Sequence, residues 1–266
     1  MIKNLRRAVL TALALQALVG GTGAAAQTWP ARPIKFIVPF STGGANDLMA
    51  RAAAEGASKA LGQSIVVENR PGAGGTLATT MVAKSAPDGY TFLISAAGVI
   101  SNTMIKKSPP YKDSDLEPVA MIALSPSVVV VATKSPHNSL RDLVEASKRG
   151  NGFHFATAGT GSTPHFVAEM LNLHYGAKLL PVPYKSGSEG AVAVMGGQVE
   201  ATSEASIVSL PHIKPDGKFK ALATTWVRRM SVAPDLPTAA EQGYPQLQIA
   251  HWAGVHAPAG VSPEIL

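Results

Sequence analysis

Apolar residues fall in short runs along this chain, and the runs alternate with stretches in which apolar positions recur at helical spacing. IKFIVPF (34–40) reads as a buried strand, and 47–61 follows as a helix. SIVVEN (64–69) is a short strand ended by the glycine-rich turn RPGAGG. A helix over 76–84, the turn PDGY (87–90) and the strand TFLIS come next. MIALSPSVVVVAT is a long β-branched run. A helix over 139–148, the strand FHFATA and a helix over 166–175 follow. KLLPVPY, a helical GAVAVMGG, QVEATSE and FKALATT continue the alternation. Strands alternating with helices of this length predict an α/β fold built of parallel βαβ units.

One device occurs twice. IVPFSTGGANDLMARA passes from strand to helix through Ser41, Thr42, Gly43 and Gly44, and FHFATAGTGSTPHFVAEMLNL repeats that logic through Thr160, Gly161, Ser162 and Thr163. One such turn in each half predicts two α/β lobes that face one another. In a parallel sheet the ligand edge lies where strands end and helices begin. The first helical turn there has N–H groups without internal partners and about half a unit of positive charge. Glycine lets a ligand approach, so each turn suits a phosphate or a carboxylate. The competing reading is a tight turn with an N-cap, supplied by Asp47 in the first case and by Ser162 or Thr163 in the second.

Several chemistries are excluded by pattern. There is no Walker A sequence, PGAGGT lacks the dinucleotide spacing, and HExxH and GxSxG are absent. Ser162 with His165 three residues later does not define a base geometry. The chain has no cysteine, hence no disulfide, thiolate nucleophile or zinc–thiolate site. No cofactor and no metal are expected. At the N-terminus, basic MIKNLRR, a short apolar run and small residues ending at Ala26 form a secretory signal pattern, with 1–26 removed. The formal charge then falls from +6 to about +3. The remaining basic residues are scattered pairs, which argues against nucleic acid.

VPFSTGGANDLMAR, VVENRPGAGGTLAT, KSAPDGYTFLIS, ATAGTGSTPHFVAEML, LPVPYKSGSEGAVAVMGGQVE and HWAGVHAPAG occur in that order. Together they resemble the Bug (TctC-like) solute-binding proteins of tripartite tricarboxylate transporters, over nearly all the chain beyond the signal. The resemblance implies a two-lobed, Venus-flytrap periplasmic-binding-protein fold, each lobe a mostly parallel sheet flanked by helices. It implies lobe 1 over 27–125, lobe 2 over 126–247 and a return to lobe 1 over 248–266, with a C-terminal part missing. The expected protein is a periplasmic, monomeric receptor, not an enzyme. It binds an organic anion and delivers it to transporter membrane subunits. Carried onto this sequence, the family's ligand site falls on Phe40, Ser41, Thr42, Gly43, Gly44 and Asp47, and on Thr160, Gly161, Ser162, Thr163 and His165. The loop after TFLIS, with Ala97, Gly98 and Asn102, lines the pocket, and Tyr184 sits near it.

The sequence departs from the family pattern at Ser41-Thr42, where a proline is common, and at Ala97-Gly98-Val99, where a hydroxyl residue and a histidine are common. It departs again at Glu204, where an aspartate-containing segment is usual. These changes leave room for an aromatic carboxylate as well as a di- or tricarboxylate. The rival reading is an exported α/β hydrolase using Ser162.

Overall fold

The computed structural model describes residues 28–213 and 216–266. The signal-sequence expectation, residues 1–26, lies outside the described residues. Residues Arg32–Leu266 form one compact unit that holds every element named below. No helix among the described residues is long and apolar enough to cross a membrane.

The chain order begins with β1 (Ile34–Val38), α1 (Ala45–Leu61), β2 (Ile65–Asn69), α2 (Thr76–Ala83), β3 (Thr91–Ser95), α3 (Gly98–Ile105) and β4 (Leu116–Ala132). It continues with α4 (Leu140–Ser147), β5 (Phe153–Thr157), α5 (Thr163–Tyr175), β6 (Leu179–Pro183), α6 (Gly187–Met195) and β7 (Ala201–Ala205). It closes with α7 (Ser206–Ser209), β8 (Phe219–Thr224) and β9 (Ala250–Pro258).

Two parallel trios form the lobes. β2, β1 and β3 run parallel in one; β6, β5 and β7 run parallel in the other. Their strands read as near-continuous apolar runs because helices cover both faces. Ile34, Phe36, Ile37 and Val38 of β1 are all buried. The first lobe packs Ile37, Ala78, Val82, Leu93, Val99 and Leu116 together, and the second centres on Phe155, Leu140, Leu143, Leu171 and Leu222. Burying each such side chain contributes about 1.5–3 kcal/mol.

The lobes are joined by antiparallel strands, an arrangement the βαβ alternation did not announce. β9 pairs antiparallel with β3 and then runs along the first half of β4. The second half of β4, from Ser127, pairs with β7 and β8 in the other sheet. β4 therefore passes from one lobe to the other near Ser125–Pro126, where His251 and Ala250 of β9 lie opposite. Its two halves differ accordingly. Met121 and Leu124 are exposed, whereas Val128, Val129, Val130 and Val131 are fully buried.

The 96–102 segment, read from sequence as a loop, is mostly helix α3. Helix α5 begins at Thr163, earlier than the apolar spacing suggested, because Ser162 takes the extended N-cap conformation and Pro164 fits the first turn.

Candidate functional site

Both glycine-rich turns end in a helix without a side-chain cap. Gly44 precedes α1 and has no side chain to offer. Ser162 precedes α5, but its hydroxyl donates to the Gly159 carbonyl at 2.6 Å and does not cap. The first N–H groups of both helices therefore lack the usual internal partner. These two helix starts converge on one cavity. Gly44, Ala45 and Asn46 form one wall; Ser162, Thr163 and Pro164 form another. Ala96 and Ala97 bring in the start of α3, and Gly187 the start of α6. Phe40, Ala158, Glu204, His251 and Trp252 complete the lining, which contains no Lys or Arg.

The cavity is narrow. It offers the centres of water-sized molecules about 30 Å³, roughly twice what one water needs.

Of the residues singled out from sequence, Phe40, Gly44, Ala97, Ser162 and Thr163 line this cavity. The others lie elsewhere. Ser41 bridges the lobes, donating from its hydroxyl to Glu189 Oε1 at 2.9 Å. Thr42 donates to Asn69. Gly43, at φ +82°, donates its N–H to Asp47 Oδ2 at 3.0 Å. Asp47 is buried behind the turn and also accepts from Asn69 Nδ2 and from Arg51. Burial alone would raise its pKa. The Arg51 guanidinium, the Gly43 N–H and Asn69 outweigh that and hold the carboxyl below the ordinary aspartate value. Asp47 thus braces the turn, with its oxygens already engaged.

Gly98, Thr160 and Gly161 belong to a seam where backbones from the two lobes meet. A Cβ on Gly98 would stand 2.5 Å from the Gly74 carbonyl oxygen, and one on Gly74 would stand 2.3 Å from that of Thr160. Ser101 closes the same seam by donating to the Gly161 carbonyl at 3.0 Å. Asn102 reaches Gly74 O at 3.0 Å. His165 accepts the Gly161 N–H at 3.4 Å and stands 4.0 Å from Glu169. Tyr184 and Thr160 line a separate surface depression beside Lys106 and Lys185.

Three polar lining residues were given no place in the site by sequence. Asn46 donates to the carbonyls of Ser95 and Trp252, both at 3.2 Å, tying the start of α1 to β3 and β9. Glu204 is buried on β7, and its Oε1 has no hydrogen-bond partner. Burial pushes its pKa up to about 8, and the Thr202 hydroxyl offsets this only in part. His251 is buried on β9 with Nε2 unpartnered. Burial pushes its pKa down to about 4, against a smaller opposing effect of the Ser203 backbone. Between those values both groups are uncharged. The sequence did carry signals for two of them: Glu204 stood out as a departure, and His251 sits in the HWAGVHAPAG motif.

Two α/β sheets joined by crossing strands over a buried cleft define the two-lobed periplasmic-binding-protein fold. A solved periplasmic binding protein, BugD, superposes with a TM-score of 0.84 at 35% identity, covering 89% of this chain and 80% of that one. MatC from Rhodopseudomonas palustris with bound malate superposes with a TM-score of 0.84 at 32% identity, over 89% and 81%. Residues 49–266 match the model of the tripartite tricarboxylate transporter family receptor. BugT of Bordetella pertussis is 41% identical over 245 residues, 91% of this chain and 75% of that protein. The chain belongs to this receptor family.

Proposed function

We propose that this protein is an extracytoplasmic receptor that captures an organic carboxylate between its lobes and delivers it to a tripartite tricarboxylate-type membrane transporter. The observation that carries this reading is the meeting of two uncapped helix starts, those of α1 and α5, in one cavity without a Lys or Arg. Unpartnered N–H groups at helix ends are donors for an anion, and each lobe supplies only part of the set. A carboxylate therefore favours the closed arrangement, because only there does it meet both. The malate held by the Rhodopseudomonas palustris neighbour makes a dicarboxylate the first ligand to try.

Within this reading lobe 1 comprises residues 27–125 and 248–266, and lobe 2 residues 126–247. Phe40, Gly44, Ala97, Ser162 and Thr163 contact the ligand or shape its cavity. Residues 1–26 direct export to the periplasm, and the receptor acts as a monomer without catalysis. The hydrolase alternative gains nothing from the Ser162 hydroxyl, which is donated to Gly159 O rather than to a base.

The test is a thermal-shift screen of the exported form against malate, tricarboxylates and aromatic carboxylates. A ligand at a hundred times its Kd stabilises by about 2.7 kcal/mol. A hit supports the receptor and supplies the ligand class. Turnover of an ester substrate with covalent labelling of Ser162 would overturn it.

A further inference from the structure

Glu204 is an unusual neighbour for an anion. Its carboxyl group lies on the wall of the same cavity, buried, with one oxygen unpartnered. Space for it is provided by a glycine: a Cβ on Gly187 would stand 2.4 and 2.5 Å from its two oxygens. An ionised carboxylate here would repel an anionic ligand across a low-dielectric gap. A protonated one would instead donate its O–H to that ligand.

We propose that Glu204 acts in its acid form as a hydrogen-bond donor to the ligand carboxylate, so that the receptor holds the anion together with one proton. This rests on the receptor reading above. No covalent step is involved; the proton stays on Glu204 and is shared in the hydrogen bond.

The surroundings agree. Burial favours the uncharged form of Glu204 up to about pH 8. His251 on β9 is the other titratable side chain in the cavity, and it is neutral above about pH 4. Charged and titratable groups on the elements packed around β7 have other contacts. Glu189 of α6 accepts from Ser41 and from the Lys185 N–H. His165 and Glu169 of α5 stand beside each other, and His154 of β5 lies by Glu200. His174 closes α5 against Tyr175, and burial lowers the pKa of His256 on β9, opposed in part by Glu117 of β4. On α1, Asp47 and Arg51 are paired. Among the described residues, Glu204 forms no ion pair that would neutralise its ionised form.

Isothermal titration with malate between pH 6.5 and 9.5 tests this, since free carboxylates stay ionised throughout that range. The expected wild-type Kd rises about tenfold per pH unit above pH 8, because only the acid form binds. Glu204→Gln, which keeps a donor and cannot ionise, is expected to flatten the profile. Matching thermal unfolding of the two proteins at pH 6.5 establishes that the variant folds. In buffers of different ionisation enthalpy, the wild type is expected to take up a proton on binding near pH 8.5, and the variant not to. A wild-type profile as flat as that of Glu204→Gln, or a variant with the same pH dependence as wild type, overturns the proposal while leaving the receptor reading intact. Failure of malate and the other screened carboxylates to bind at any pH overturns the receptor reading, and this inference with it.

Discussion

At single residues, neighbouring positions of similar composition do different work. Gly43 and Gly44 are adjacent, yet only Gly44 lines the cavity. Gly43 has φ +82° with open space where a Cβ would go, whereas Gly44 has an ordinary φ of −76°. Gly43→Ala is expected to cost about 1 kcal/mol of stability in urea unfolding, with carboxylate affinity retained. Gly44→Val is expected to lower carboxylate affinity at least tenfold by narrowing the cavity, which titration calorimetry would register. Equal effects of the two on affinity would refute the assignment. Glu204 makes a separate prediction without ligand. Burial pushes its folded pKa up to about 8, above the ordinary 4.5, so the folded state binds the extra proton between them. Its stabilising contribution is present below 4.5 and is lost as pH rises to about 8. The difference in thermal stability between wild type and Glu204→Gln is expected to move against wild type across that window. A constant difference would show that Glu204 ionises normally.

At the scale of elements, the strand–turn–helix unit is held by Asp47, which accepts from Gly43, Asn69 and Arg51. Its carboxyl is held below the ordinary value, so its contribution is present above about pH 4 and is lost as pH falls through the folded pKa. Asp47→Asn is expected to lower stability at neutral pH and to shrink the loss on acidification, measured by thermal unfolding from pH 3 to 7. Much of this level was legible in the sequence. The β1, β2, β3 and β5 spans fall within a residue or two of the apolar runs, and in β1 and β3 this follows from burial on both faces, which needs continuous apolar residues. α3 was missed because GVISNTMI carries no capping signal: the preceding Ala97 offers no side-chain hydrogen bond. The PGAGG turn was legible as a turn, but not as a contact with the opposite lobe, since close backbone approach leaves no mark beyond the glycine itself.

For the whole molecule, contacts across the cleft hold the two lobes together. Ser41 meets Glu189, Ser101 meets Gly161, and Gly74 abuts Thr160. With room for about two waters in the cavity, opening of the cleft is expected to precede carboxylate binding. Small-angle scattering is expected to show a smaller radius of gyration with saturating malate than without it, and no change would refute closure around the ligand. Gly74→Ala would place a Cβ 2.3 Å from the Thr160 carbonyl. It is expected to disfavour the closed form and weaken carboxylate binding more than Gly197→Ala, which shares the positive φ but meets nothing. Equal affinity of the two variants would show that the seam does not govern closure.

By itself the sequence determined the alternation of strands and helices, the paired glycine-rich turns and the family motifs. These follow from local periodicity and from backbone requirements that neighbouring residues express. Tertiary structure alone decided which of the turn residues face the cavity between the helix starts. It turned Asp47 behind its loop, sent Ser41 across the cleft, and brought Glu204 and His251 into one lining from strands far apart in the chain. The protonation of those two groups is likewise a tertiary property, because it depends on how completely the crossing of β4 and β9 and the starts of four helices exclude water from them.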